Sequence, residues 1–297
     1  MLRKRKWNFS LLQFILVTVM LFLTLTMIVP LINLVAVSFS DPKLSPTMTG
    51  LDLLPKGFSL INYQIILSNP VMVPALFNSI FITVVGTLIN IFMTALAAYA
   101  LTRPNLVGKR VFMVFFIIMM LFDPGLVPEY LTVRELGLMG SQWSVILVMA
   151  VNVYYLVIMM RYFEEVPVSI CEAAKIDGAG HLRILCSIIM PLSKAGIATL
   201  TMFYGVVRWN EYIRAGLYIS KIRLSPLQVI LRKFIVQNDI ASIIGHQNVL
   251  NYNELAKIDY GALQFATIVV AIIPILLVYP LVLKYYTKDV MAGGVKE

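Results

Sequence analysis

Long apolar runs separated by short polar breaks dominate the chain. Residues 11–37 are almost continuously apolar, and further runs cover about 75–101, 111–122, 143–160, 196–219 and 261–283. A helix needs about 20 apolar residues to cross the hydrocarbon core of a bilayer. Inside that core every backbone N–H and C=O must be satisfied within the protein, which a helix achieves on its own. The pattern therefore predicts an all-α polytopic membrane protein with six transmembrane helices. Pro30 inside the first run predicts a kink rather than an end. The third run is short and stops at Asp123, Pro124 and Gly125, so DPGLVPEYLTVRELGLMGSQ reads as an outside loop, partly re-entrant.

The polar breaks orient the spans. Arg3 to Lys6 precede the first run, Arg103, Lys109 and Arg110 follow the second, and Lys284, Lys288 and Lys296 follow the last. Lys and Arg beside helix ends mark the cytoplasmic side. The first two outer loops contain only Lys43, Lys56 and Arg134. Both ends are thus expected in the cytoplasm: an N-terminus over 1–10, an inner loop over 162–195, an outer loop over 220–260 and a tail over 284–297, all in one transmembrane domain over 1–297. The basic start followed by an apolar run also fits a signal peptide. The run is longer than a typical signal core and no small-residue cleavage site follows, so it reads as a retained helix. The outer loop 220–260 is basic and breaks the charge rule. In it Leu227, Ile230, Leu231 and Phe234 recur at helical spacing, which predicts a basic amphipathic helix on the membrane surface.

Composition agrees. The chain is 60% hydrophobic and 13% charged, against about 25% charged in soluble domains, so it lacks the charge to cover a soluble surface. The net charge of +9 reads as cytoplasmic flanking charge, and no nucleic-acid partner is implied. Cys171 and Cys186 fall in an inner loop where thiols stay reduced. His181 and His246 are too far apart in sequence to suggest a local metal pair. No phosphate-binding G-x-x-x-x-G-K-[ST] loop, H-E-x-x-H or G-x-S-x-G is present. No catalytic residue, metal site or cofactor is expected in this chain.

Two constellations remain. The first is VPVSICEAAKIDGAGHLRILCSIIMPLSKAG, from Val166. Ser169 and Glu172 fit a capping box, Gly178 fits a left-handed helix end, and a second helix should run from His181 to Ile189. This predicts a cytoplasmic helix-turn-helix between two spans. Small alanines allow a close partner approach and Glu172, Lys175, Asp177 and Arg183 give a polar rim. The same pattern also suits an ordinary loop that caps the helices. The second constellation lies within the spans: Asn152, Tyr154 and Tyr155 in the fourth, and Arg208, Trp209, Asn210 and Glu211 in the fifth. Aromatic faces with amide and hydroxyl groups suit a sugar, and a guanidinium suits a sugar carboxylate. Arg208 and Glu211 stand at i and i+3, a spacing that lets them pair. An interfacial anchor of Trp and charge fits the same residues.

The E-A-A-x-x-D-G-A stretch, continuing to I-I-M-P-L, resembles the EAA motif of permease subunits of ATP-binding-cassette importers. There this loop seats on the ATPase. The resemblance implies that Glu172, Ala173, Ala174, Asp177 and Gly178 couple this chain to an ATPase. Ala195 stands where the family often has proline, which implies a less abrupt start to the fifth helix. FNSIFITVVGTLINIFMTALAAYALTR and the tail AGGVKE are similar to maltose-class sugar permeases, with Glu297 in place of a final glycine. GLVPEYLTVRELGL, RWNEYIRAGLYI and SPLQVILRKF resemble the branch that takes oligosaccharides of acidic polysaccharides such as alginate and pectin; neutral-sugar permeases also occur there. The resemblance implies half of an alternating-access pore in a bacterial cytoplasmic membrane. It implies a second permease subunit in a heterodimer, two ATPase subunits that hold ATP and Mg, and an extracytoplasmic sugar-binding protein, with membrane lipid around the spans. A membrane-embedded enzyme of glycan or lipid modification would need convergent carboxylates or histidines near a membrane face. A non-transporting scaffold would not need the helical insert.

Overall fold

A computed structural model describes residues 11–104, 106–239 and 259–293, with side chains described through residue 280. The basic start at 1–10, residues 240–258 of the loop 220–260 with His246, and the side chains of Lys284, Lys288 and Lys296 lie outside the described residues. Among the described residues the chain is helical, with one isolated bridge between Ser40 and Phe58. By packing it falls into two compact units, residues 1–69 with 240–272 and residues 70–239 with 273–297.

The first unit begins with α1, Leu11–Ser38, a 28-residue helix that holds Pro30 in its interior. Its most apolar stretch has no buried residue, and side chains such as Phe14, Met20 and Phe22 are exposed. Such a surface is stable only in an apolar solvent. Its C-terminal end turns inward, where Asn33, Ala36 and Val37 are buried. The Asn33 amide donates to the carbonyls of Thr49 and Asp52, which pins the outer loop. Asp52 accepts the Thr49 N–H and faces Lys56 at 3.1 Å. The Thr49 N–H first, then Lys56, holds the Asp52 carboxyl below the usual carboxylate range. A short helix α2, Ile61–Leu67, closes the segment, with Asn62 buried and donating to the Ser38 carbonyl.

The second unit is built on α3, Met72–Thr102. After it come α4, Lys109–Leu121, and α5, Leu126–Glu135, which meet at a 116° bend. The expected interruption at Asp123 to Gly125 makes this bend: Asp123 accepts the Gly125 N–H at 2.8 Å, and Gly125 has a positive φ of 79°. The segment 126–135, expected as loop, is helical. Next come α6, Trp143–Leu147, and α7, Val153–Glu164. The fourth run was expected as one continuous span over 143–160, but it is broken at 148–152. The inner loop holds α8, Val168–Ile176, and α9, His181–Leu192, which passes through a wide π-turn at Leu185–Ile189. An 88° bend leads into α10, Lys194–Trp209. The start of α10 is therefore abrupt despite Ala195. The fifth run was expected to reach residue 219; it ends at Trp209, and α11, Ile213–Tyr218, follows separately. Then α12, Leu227–Leu231, widens into a π-turn at Arg232–Val236. The last helix, α13, spans Tyr260–Gly293.

The core of the second unit packs α3, α7, α9 and α10 around Ala95, Ala98, Leu156, Met159, Phe163, Ile184 and Leu200. Small residues on α3 let backbones approach closely, which matters where no hydrophobic force drives helices together in lipid. The predicted membrane-surface helix at 227–234 is corrected. Leu227, Ile230 and Phe234 are fully buried. The Leu227 N–H donates to Ser79 on α3, and Asn78 donates to the carbonyls of Arg223 and Ser225. The amphipathic spacing serves protein packing, which periodicity alone does not distinguish from a lipid-facing stripe.

Among the described residues three helices suit a membrane crossing by length and composition, Leu11–Ser38, Met72–Thr102 and Tyr260–Pro280, or up to five if each bent pair is one span. The broken fourth run is not among them.

Candidate functional site

The inner loop presents its motif outward. Helix α8 is capped two residues earlier than expected: Pro167 is the N-cap, with extended ψ of 131° and no side-chain cap bond. Ser169 therefore sits inside the first turn, and the predicted Ser169–Glu172 capping box does not form. The C-terminal end follows expectation. Gly178 has φ of +79°. Its N–H donates to the Lys175 carbonyl at 3.0 Å, and the Ala179 N–H donates to the Ala174 carbonyl at 2.9 Å. These two bonds form a Schellman end, which satisfies carbonyls the helix cannot. Nothing lies within 4 Å of where a Gly178 Cβ would sit, so φ alone calls for glycine there.

Glu172, Ala173, Lys175, Asp177 and Gly178 are exposed, Ala174 is half-buried, and Cys171 anchors the helix at 4% exposure. Ile176 is 87% exposed and Leu182 67%. The segment thus presents a charged rim with exposed aliphatic tips and alanines between them. His181 fastens the next helix to α3, with Nδ1 at 3.0 Å from the Tyr99 hydroxyl. The Arg103 guanidinium lies 4.2 Å over the Tyr99 ring.

The second constellation is brought together at the break in the fourth run. Met149 has a positive φ of 55°, and Val148 and Asn152 are extended. The Asn152 side chain caps α7 by accepting the Tyr155 N–H at 3.2 Å, the usual service of asparagine at an N-cap. The Asn152 N–H donates to the Tyr204 hydroxyl, which is 2.8 Å from the Thr94 hydroxyl. The Tyr155 ring meets Tyr204 edge-on at 4.8 Å and also contacts Phe203 and Tyr154. Tyr154 is 57% exposed.

Arg208 fills the break. Its Nη1 donates to the Val145 carbonyl. Its Nη2 lies 3.0 Å from the Ile146 carbonyl, 3.1 Å from Val148, 3.4 Å from Met149 and 3.0 Å from Asn90 Oδ1. The end of α6 leaves carbonyls without helical partners. The Leu147 carbonyl takes the Ala150 N–H, and Arg208 serves the rest. Each buried carbonyl left alone costs about 1–3 kcal/mol, and a guanidinium placed in a span costs about 2.5–3.5 kcal/mol on insertion scales. Each defect offsets the other.

The expected Arg208–Glu211 pair does not form. The i, i+3 rule assumes a continuous helix, but α10 stops at Trp209 and Tyr212 is non-helical at φ −124°. Glu211 instead accepts the Arg214 N–H at 3.1 Å and faces its guanidinium at 3.5 Å. Arg214 also forks onto Glu129, with bonds of 2.7 and 3.1 Å, and the buried Tyr218 hydroxyl donates to the same carboxylate. Trp209 is buried, while Asn210 is exposed and donates to the Val206 carbonyl. Glu129 lies in the segment expected as loop. It belongs to this cluster, and its partners lie 85 and 89 residues away, beyond the reach of any local pattern.

No family model matches the chain. It is 36% identical over 283 residues to the polygalacturonan/rhamnogalacturonan transport system permease protein YtcP of Bacillus subtilis, covering 93% of this chain and 95% of that one. It is 28% identical over 273 residues to the trehalose/maltose transport system permease protein MalG of Thermococcus litoralis, covering 90% and 91%. A solved bacterial ABC transporter involved in the import of the acidic polysaccharide alginate contains a similar chain. That match has a TM-score of 0.88 and 29% identity, and covers 96% of this chain and 100% of that one.

Proposed function

This chain belongs to the permease subunits of ATP-binding-cassette sugar importers, and from that premise we propose that it forms half of an alternating-access pore for oligosaccharides of acidic polysaccharides. It is a non-catalytic membrane subunit, and ATP is hydrolysed by separate ATPase chains. The observation that carries the substrate reading is the agreement of two independent likenesses, one to a permease named for pectin-type polymers and one to an alginate importer.

Glu172, Ala173, Ala174, Asp177 and Gly178 couple the pore to the ATPase. Their exposure on α8, beside an exposed Ile176, supports this role. Asn152, Tyr154, Tyr155, Asn210 and Glu211 border the sugar path, with Trp209 packed behind them. The remaining assembly is a second, different permease subunit, two ATPase copies with ATP and Mg, and an extracytoplasmic sugar-binding protein. The chain crosses the cytoplasmic membrane six times, with both ends inside. The fourth crossing is the pair α6 and α7 with its break, since non-helical backbone is tolerated at membrane depth where protein or a water-lined cavity surrounds it.

Topology is tested by thiol labelling in a Cys186→Ser background, with Leu51→Cys on the outer loop and Lys175→Cys on α8. Both positions are exposed. Leu51→Cys should label from outside and Lys175→Cys only after the membrane is opened; the reverse pattern contradicts the orientation. Substrate class is tested in proteoliposomes holding the whole importer. Uptake of oligogalacturonides above that of neutral oligomers of equal length is expected, and preference for the neutral series overturns the acidic reading.

A further inference from the structure

A span broken in its middle needs something to keep it broken. Left alone, residues 143–160 are apolar enough to close into one helix, and closing satisfies every backbone group internally. In the structure the Arg208 side chain spans the break, beside a Tyr204 hydroxyl that accepts the Asn152 N–H. Arg208 is 4% exposed and reaches four carbonyls across it, those of Val145, Ile146, Val148 and Met149. Asn90 on α3 orients the fork from the far side.

The surroundings are cut to fit. Gly86 on α3 faces the stem of Arg208. A Cβ there would sit 3.2 Å from Nε and 3.3 Å from Cδ, closer than a methyl group tolerates without displacing its neighbour. The planar fork suits several convergent acceptors in a way a compact ammonium does not.

We propose that Arg208 is the clasp that keeps the fourth span open at 148–152, and that it acts as a positioning residue rather than as a ligand for the sugar. The open break sets Asn152 as the cap of α7 and aims Tyr154 and Tyr155, the path residues named above. The proposal rests on that transport reading for its functional consequence, but not for its structural one. Arg208 is held by the protein's own carbonyls, so its charge does not choose between acidic and neutral sugars.

Two measurements on the assembled importer separate these roles. Hydrogen exchange over 148–153 is read in wild type, Arg208→Gln, Arg208→Lys and Gly86→Ala. All three variants should exchange about tenfold faster there, with residues 91–101 of α3 unchanged. Gly86→Ala does so by crowding Nε and Cδ while leaving the charge of Arg208 in place. Uptake of an acidic and a neutral oligosaccharide of equal length should fall together in Arg208→Gln, by about tenfold. Arg208→Lys should restore little of either, since one ammonium cannot span the carbonyls. Unchanged exchange overturns the clasp. Selective loss of the acidic sugar, with its preference kept by Arg208→Lys, makes Arg208 a substrate ligand instead. If the wild-type importer carries neither sugar, the transport reading fails while the exchange result still decides the clasp.

Discussion

The inner loop at 166–192 and the clasped break at 148–152 are opposites in construction. The motif in the loop is local: α8, its Schellman end and its exposed residues all come from a single stretch of sequence, and the bonds of that end join residues three and five positions apart. The break is non-local. Its carbonyls lie on α6 and the segment after it, its donor about 60 residues later on α10, and its orienting amide on α3. A surface that must meet a partner is left exposed and needs only its own helix intact. A defect inside a membrane must be satisfied by whatever the fold brings to it.

That contrast predicts different consequences of damage. The largest effect on function with the smallest effect on fold is expected in the loop. Gly178→Pro forces a positive-φ residue out of place and removes the N–H given to Lys175, a local strain of about 1–3 kcal/mol. Glu172→Lys reverses an exposed charge. Both should abolish ATP-driven uptake while membrane insertion and the helix content by circular dichroism stay at wild-type levels. Loss of insertion would show that the loop is structural rather than a docking element. At the break, Asn152→Ala removes the α7 cap, at about 0.5–2 kcal/mol, and should lower both thermal stability and uptake. Uptake lost with stability unchanged would instead place Asn152 in direct contact with sugar.

The Glu129 cluster gives a smaller effect. Glu129→Gln leaves Arg214 with Glu211 alone, and a loss on the order of 1 kcal/mol is expected from a half-exposed pair, read as a lowered melting midpoint. Rescue by Arg214→Gln in the double variant would confirm that the two residues act as a pair. Smallest of all is Asp52 in the outer loop. Its carboxyl is lowered from the ordinary 3.8, so its ordering effect is present above that value. The effect fades only as pH falls through the lower folded value. Asp52→Asn should loosen exchange at Thr49 above that range and change nothing below it, with uptake untouched throughout.

Sequence legibility follows the same divide. The long apolar runs give α1 and α3 nearly to their ends and the start of α13, which continues to Gly293, past the expected end at 283, because hydrophobic length needs no partner to be read. The bend at Asp123 to Gly125 and the left-handed Gly178 are also legible, since turn chemistry is local. The fourth run was misread as continuous because nothing in VILVMAVNVYYL breaks a helix. The groups that satisfy the gap, Arg208 and Tyr204, come from α10, about 50 to 60 residues later. Arg208 itself drew notice as an ionisable residue inside a span, which is a sound signal, but i, i+3 spacing named the wrong partner. The apolar stripe at 227–234 was read as lipid-facing where the protein core covers it, because a stripe records only that one side is apolar. The docking role proposed for α8 comes from its resemblance and not from its physics, which a capping loop satisfies equally well.

The most direct test of a pore half coupled through its inner loop is the ratio of sugar imported to ATP hydrolysed. It should be measured in proteoliposomes containing this chain, its partner permease, both ATPase copies and the sugar-binding protein. Wild type should hydrolyse ATP faster when sugar-loaded binding protein is present and accumulate the sugar. Glu172→Lys should bind lipid and partner permease normally, yet show no sugar-stimulated hydrolysis and no accumulation. Accumulation at the wild-type rate in Glu172→Lys and in Gly178→Pro would contradict coupling through residues 172–178.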